Sequence, residues 1–399
     1  MPGGLLGDGK QTVKLAAAGE MTEGLETVEC RDDGNVPAAM SAVVLTGHGG
    51  LDKLVYKDDV PTPAPRAAEV LVRVGACGLN NTDINTRTGW YDSVVETSVS
   101  EELGIHGRDD GAGSSWNKNS VHFPRIQGAA VAGRIAAVGE GVDSARLGER
   151  VLLDPSVRDP GLPARAQLME YVGSERDGGF AEYVAIPSVN AHAIDSTLSD
   201  AELATFPCSY DTAEEMLERA ALARGETIVV TGAAGGVGTA LIQLALTRGA
   251  HVVVVAGAAK ESRLRKLGAH DFVARETRDL QRAVERLVGE RGADVVADVV
   301  GGDMFDPLLK LLRRGGRYTT AGAIAGPTAR IDLRDLIYKD LEMYGITNPT
   351  AATFARLVAL VQAGLLQPLL EEAFPLAELG AAQARFLKRS HVGKYVVVA

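Results

Sequence analysis

The run Ile228–Val229–Val230–Thr231 leads straight into Gly232–Ala233–Ala234–Gly235–Gly236–Val237–Gly238, and Thr239–Leu246 after it has the apolar spacing of an amphipathic helix. A β-branched strand, a glycine-rich turn and a helix in direct succession form the context in which a dinucleotide fingerprint carries weight. Glycines let the backbone turn tightly and approach a pyrophosphate. The helix N-terminus adds free N–H groups and the positive end of its dipole. The strict G-x-G-x-x-G pattern stands here as Ala233-x-Gly235-x-x-Gly238, with alanine first. Glycine-rich turns also close ordinary strand–helix units, so the residues that follow decide how far the motif reaches.

His251–Val255 is a second buried-strand run, about 20 residues past the turn, where an Asp or Glu would hold the ribose of NAD. This chain has Ala256–Gly257–Ala258–Ala259–Lys260 there, with Arg263 and Arg265 one turn on. No acid sits at the strand end and cations do, which predicts NADP(H) rather than NAD(H). The same cations also suit a plain solvated helix face.

From Leu198 onward the pattern alternates. Strands are predicted at Thr227–Thr231, His251–Val255, Asp271–Val273, Ala293–Val300, Gly316–Thr320 and Leu341–Ile346, and helices fall between them. Such alternation predicts a doubly wound parallel sheet with ligands at the carboxyl ends of its strands, where Asp298–Gly302 and Ala321–Gly326 lie. Before it, Ala42–Leu45, Glu69–Gly75, Ala129–Val138, Arg150–Leu153 and Gly178–Ile186 predict a β-rich, turn-rich region. Gly393–Val398 predicts a closing strand. The segment 92–123 is polar and glycine-bearing, and a structureless stretch of that length is either a lid-like binding loop or a surface insertion. The expected layout is an extension at 1–39, a β-rich domain over 40–195 and 346–399, and a nucleotide domain over 196–345.

At 399 residues, 46% hydrophobic and 23% charged, the chain has the composition of an ordinary soluble protein. A net charge of −11 disfavours nucleic acid and anionic membranes as partners. Three scattered cysteines form no disulfide framework, and no apolar run approaches the ~20 residues of a membrane span. Residues 1–39 lack the features of a secretory signal. The cytoplasm is the expected compartment.

Several short motifs occur in a telling order: Gly78–Leu79–Asn80–Asn81–Thr82–Asp83 through Arg87; Val138–Gly139–Glu140–Gly141–Val142; Gly148–Glu149–Arg150–Val151; Gly178–Gly179–Phe180–Ala181–Glu182–Tyr183; Thr212–Ala213; the fingerprint; and Gly393–Lys394–Tyr395–Val396. Over roughly Ser41–Ala399 the chain resembles the medium-chain dehydrogenase/reductase superfamily, and within it the zinc-independent quinone oxidoreductase branch. The resemblance implies an α/β fold, a GroES-like β-rich catalytic domain beside a Rossmann domain, and a homodimer joined through Rossmann edge strands. Zinc-dependent relatives place a cysteine where Asn80 stands and a His-Glu pair at Gln127–Gly128–Ala129, so no metal is expected.

The implied chemistry is hydride transfer from NADPH to an activated C=C bond or a quinone, with a donor stabilising the developing oxyanion. Asn80, Asp83 and Arg87 are placed along the nicotinamide and substrate cleft. Asn80 is expected to orient the carboxamide or donate to the substrate carbonyl, and Arg87 to supply positive charge. Asp83 and Arg87 also suit a buried pair tying the loop to the barrel. Asn85 replaces a tyrosine often found in the family, so Tyr91 is the expected proton donor, with the 92–123 segment and water as alternatives. Thr212, Ala234, Gly235, Gly236, Val237, Gly238, Ala256, Lys260, Arg263, Gly322 and Lys394 are implied cofactor contacts. Arg275 replaces a ribose-packing tyrosine and is a further candidate for the 2′-phosphate. Two other readings stay open: a recruited biosynthetic reductase or cyclase with a bulky substrate, and an alcohol dehydrogenase.

Overall fold

Thr227–Val230, the strand feeding the glycine-rich turn, lies at the centre of a six-stranded sheet in the computed structural model, which describes residues 36–92, 95–107 and 121–399. The strand order is Asp271–Ala274, His251–Ala256, Thr227–Val230, Ala293–Asp298, Leu312–Thr320, Glu342–Gly345, with every neighbouring pair parallel. The chain winds outward one way from Thr227, then crosses back and winds outward the other way. The switch falls between Thr227–Val230 and Ala293–Asp298, so the carboxyl ends of these two strands flank a crevice. Val229, Val253 and Val296 enter one core, whereas Ile228, Val230, Val252 and Val295 enter another. Burial on both faces explains why these strands read as unbroken apolar runs.

A second, seven-stranded sheet joins Ala191–Ala193, Arg150–Leu153, Ala130–Val138, Glu69–Gly78, Lys394–Val398 and Leu370–Pro375 in that order, with Tyr183–Pro187 also paired to Glu69–Gly78. Its core gathers Val70, Val72, Val131, Ile135, Val151, Phe180 and Tyr395. The final strand thus returns to the sheet that the N-terminal part of the chain builds, and the architecture is the expected GroES-like β-rich unit beside a Rossmann sheet. Gly78 pairs with Val396 and Cys77 with Val397, antiparallel. Two residues further along each strand, that register sets Asn80 opposite Lys394, and Leu79 N–H holds the strands together there by donating to Tyr395 O at 2.9 Å.

Three local expectations change. Of Gly178–Ile186 only Tyr183–Pro187 is strand, because Gly178 and Gly179 instead donate to Ile126 O and Gly128 O. The 92–123 segment is not wholly irregular: Glu101–His106 is a helix, capped by Ser100 accepting from Leu103 N–H, with two glutamates in its first turn. Its remainder at 93–94 and 108–120, like residues 1–35 of the extension, lies outside the described residues. Leu370–Pro375 and the helix Leu379–Leu387 were not anticipated. No helix among the described residues is long and apolar enough to cross a membrane.

Candidate active site

The helix Asn81–Arg87 begins where the strand Glu69–Gly78 ends, with Asn80 as its cap. Asn80 N–H donates to Asp83 Oδ2 at 2.7 Å, half of a capping box that fixes the turn. Gln127 Nε2 donates to Asp83 O at 2.9 Å and braces the same turn from the neighbouring loop. Lys394 faces Asn80 as the register requires. Only 2% exposed, it donates through Nζ to Asn80 Oδ1 and, at 3.0 Å, to Ser209 Oγ. Ser209 opens the helix Ser209–Arg219, just ahead of the strand that feeds the fingerprint turn, so this trio straddles the seam between the two sheets.

The fingerprint turn forms one wall of that seam. A methyl group at Gly236 would lie 2.5 Å from Ser209 Oγ and 2.7 Å from Lys394 Cδ, so glycine is needed for the lysine stem to pass the helix N-terminus. At Gly238 a methyl would lie 2.3 Å from Gly232 O, which fixes the tightness of the turn itself. Gly393 N–H donates to Ala234 O at 2.9 Å and pins the returning strand to the turn.

Electrostatically the seam is enclosed. Burial pushes Asp83 up to about 7, against the Asn80 N–H, the Lys394 ammonium and the Gly128 N–H that favour its charge. Burial lowers Lys394, against the nearby Cys208, Asp83 and Cys77. Cys208 precedes Ser209 at φ 68°, a left-handed conformation that side chains disfavour, and accepts a hydrogen bond from Tyr171 Oη at 3.3 Å. Burial raises the Tyr91 phenol, while Asn85 Nδ2, 3.5 Å from its oxygen, lowers it; Cys208 and Asp83 are close enough to raise it further.

Arg87 sits elsewhere. It is fully buried, and Nε donates to Gln383 Oε1 at 2.9 Å, Nη1 to Gly49 O at 2.8 Å and Nη2 to Gly104 O at 2.7 Å. The expected charge beside the substrate is thus spent on backbone carbonyls, and the geometry is that of a clamp rather than of a pair with Asp83.

At the adenosine end, Ala256 closes its strand, and Lys260 Nζ donates to Arg389 O at 2.7 Å. Arg275, Arg263 and Arg389 all lie close enough to depress Lys260, after the larger effect of burial. Arg263, expected to serve the phosphate, is paired with Glu371 at 3.1 and 2.5 Å and donates to Val392 O. Arg275 is exposed and donates to Glu276 Oε1 at 3.1 Å; Glu276 Oε2 accepts Ala258 N–H at 3.2 Å. Between the strand ends, Asp298 is a buried hub accepting from Thr231 Oγ1, Tyr318 Oη and the N–H groups of Val300 and Gly301. Those bonds shape the loop facing Gly322, which packs on Val299 O. Thr212 is half-buried, its hydroxyl returned to Cys208 O at 2.6 Å.

The alcohol dehydrogenase GroES-like domain family matches residues 66–196, and the zinc-binding dehydrogenase family matches residues 236–363. A candidate alcohol dehydrogenase from Sinorhizobium meliloti 1021, known from a crystal structure, is 51% identical with a TM-score of 0.83, covering 91% of this chain and 97% of its own. The chain belongs to the medium-chain dehydrogenase/reductase superfamily. A curated quinone oxidoreductase from Lama guanicoe is 28% identical over 90% of this chain and 97% of its own length, and one from Rattus norvegicus is 26% identical over 90% and 98%. As a member of this superfamily the protein is an NAD(P)-dependent oxidoreductase acting on small molecules.

Within this dehydrogenase/reductase, sequence reasoning missed Ser209, Cys208, Arg389 and Glu276, while Asp298 fell inside the strand-end segment Asp298–Gly302 singled out as a candidate ligand contact. Ser209 carried one usable signal, since it stands one helical turn before Thr212. Arg389, five residues before Lys394, carried none, because its place beside Lys260 depends on how the C-terminal segment folds back. Among the described residues no group of three or more His, Cys, Asp or Glu comes together as a metal site.

Proposed function

We propose that this protein is an NADPH-dependent, zinc-free reductase of an activated C=C bond or a quinone. The observation that carries the proposal is the Lys394–Asn80–Ser209 trio. Catalytic zinc needs three anionic or imidazole-type ligands and one open position. Here the wall offers the carboxamides of Asn80 and Gln127, and an ammonium already occupies Asn80 Oδ1. Burial pushes the Cys208 thiol up to about 11, which keeps it protonated rather than a ready thiolate ligand. These residues do not fit a zinc ion.

The fingerprint N–H groups at Gly235–Gly238 suit a diphosphate, with Thr212 and Gly322 flanking the path toward the seam. Lys260, Arg275 and Arg389 give the adenosine end a positive cluster that favours a 2′-phosphate. Glu276, a local group suited to free ribose hydroxyls, is already engaged by Arg275 and Ala258. When bound, NADPH supplies the hydride. Asn80 holds the nicotinamide side of the seam, and Tyr91, whose phenol is close enough to Cys208 and Asp83 to feel both, is the proton donor.

The quinone oxidoreductase names of the curated relatives support this acceptor class. The name of the Sinorhizobium meliloti relative supports a second reading, an alcohol dehydrogenase, which would need a metal. One experiment separates them: oxidation of NADPH and NADH with benzoquinone, phenanthrenequinone, a short enal and an aryl enone, with and without EDTA. Turnover preferring NADPH and indifferent to EDTA is expected. EDTA-sensitive oxidation of alcohols, with stoichiometric zinc in the purified protein, would establish the second reading instead. A cytoplasmic setting belongs to the same proposal, resting on composition alone.

A further inference from the structure

We infer that Lys394 is a catalytic residue: its ammonium is the resident cation of the site and holds the acceptor's carbonyl oxygen as negative charge builds on it. The inference rests on the reductase reading and assigns within it the oxyanion donor that Arg87, spent on backbone carbonyls, does not provide.

Four observations carry it. The ammonium is buried, which is costly unless the charge is put to use or neutralised. Its hydrogen-bond partners among the described residues, Asn80 Oδ1 and Ser209 Oγ, are both neutral, so no contacting carboxylate cancels it. Asp83, a carboxylate close enough to act on the ammonium through space, directs Oδ2 to the Asn80 N–H instead. Finally, an ammonium has three N–H donors, and two are used. The third remains for an oxygen laid into the seam, where a low dielectric makes a fixed donor strong.

The electron count closes without another reagent. Hydride adds to the β-carbon of an enone, the C=C pair shifts to join the α-carbon to the carbonyl carbon, and the carbonyl π pair ends on oxygen. Lys394 donates a hydrogen bond to that oxygen and keeps its proton. Tyr91 then gives a proton to the α-carbon, the carbonyl re-forms, and water returns a proton to the phenolate. Asn80 and Ser209 act as positioning residues for the ammonium.

The test uses p-nitrophenol, whose phenolate mimics the oxyanion and absorbs visibly, titrated against wild type, Lys394→Met and Ser209→Ala, each with and without NADP+. NADPH affinity of each variant is measured separately by fluorescence. In wild type the bound phenol is expected to ionise about tenfold more readily than in water, which is one unit in pH. Lys394→Met is expected to abolish that preference while NADPH affinity stays within about threefold, a change small beside the tenfold expected of each 1.4 kcal/mol. Ser209→Ala keeps the ammonium but loosens its positioning, so it is expected to weaken the preference without abolishing it, which also guards against a Lys394→Met variant that folds poorly. No preference in wild type, or the same preference in Lys394→Met, overturns the inference. So does a Lys394→Met variant that keeps the preference but loses NADPH affinity, since Lys394 would then be a cofactor anchor alone. Failure of wild type to bind NADPH counts against the reductase reading and is seen independently of the phenol titration.

Discussion

Because its donors meet Gly49 O, Gly104 O and Gln383 Oε1, Arg87 joins a loop, the Glu101–His106 helix and the Leu379–Leu387 helix through one side chain. Replacement by methionine would leave three buried acceptors unsatisfied, and on the order of 3 kcal/mol of stability should be lost. Urea unfolding checks this, and the folded variant should bind NADPH as wild type does. Asp83 gives a pH signature of opposite origin. Burial raises its folded value to about 7, against about 3.9 for an unfolded aspartate. A raised carboxyl binds its proton more tightly when folded, so its contribution is complete below the unfolded value and is lost as pH rises toward the folded one. Asp83→Asn should therefore gain on wild type as pH climbs from acid to neutral. An equal gap between the two proteins by urea unfolding at pH 5 and pH 8 would refute it.

At the scale of elements, the Glu101–His106 helix docks through its one buried residue, Gly104, against Leu387. A methyl group there would lie 2.5 Å from Leu387 Cδ2, so Gly104→Ala should cost about 1 kcal/mol through overpacking and make the neighbouring segment more sensitive to protease. Limited proteolysis with and without NADPH would show it. The same helix illustrates where sequence reading stops. With a single glycine as its buried residue it has no apolar period to detect, whereas the valines of Thr227–Val230 and His251–Ala256 announce themselves. The fingerprint turn was legible because strand, glycines and helix are contiguous. Ser209 and Arg389 were not, because what makes them part of a site is a neighbour far away in the chain. Arg87 was assigned to the cleft on its motif, and the helix it ends turns it toward backbone carbonyls instead.

For the whole molecule, the outer strand Glu342–Gly345 pairs on one side with Leu312–Thr320, and in the helix Leu333–Tyr338 that precedes it in the chain Leu333, Ile337 and Tyr338 are 59%, 60% and 70% exposed. An open sheet edge with exposed apolar side chains on the helix before it suits an interface between copies of this chain. We propose a homodimer through that edge. Ile337→Glu is expected to halve the mass measured by light scattering at micromolar concentration while leaving NADPH binding intact; an unchanged mass would remove this edge from consideration. The register between the first and last strands of the β-rich sheet also sets an order in time. Asn80 and Lys394 stand 314 residues apart, and contacts of such long range are slow to form. A chain growing from its N-terminus completes the nucleotide-binding turn well before Lys394 exists. An immature molecule with its glycine-rich turn formed but its seam still open is thus an expected stage of biogenesis, and competence arrives only when the final strand zips into place.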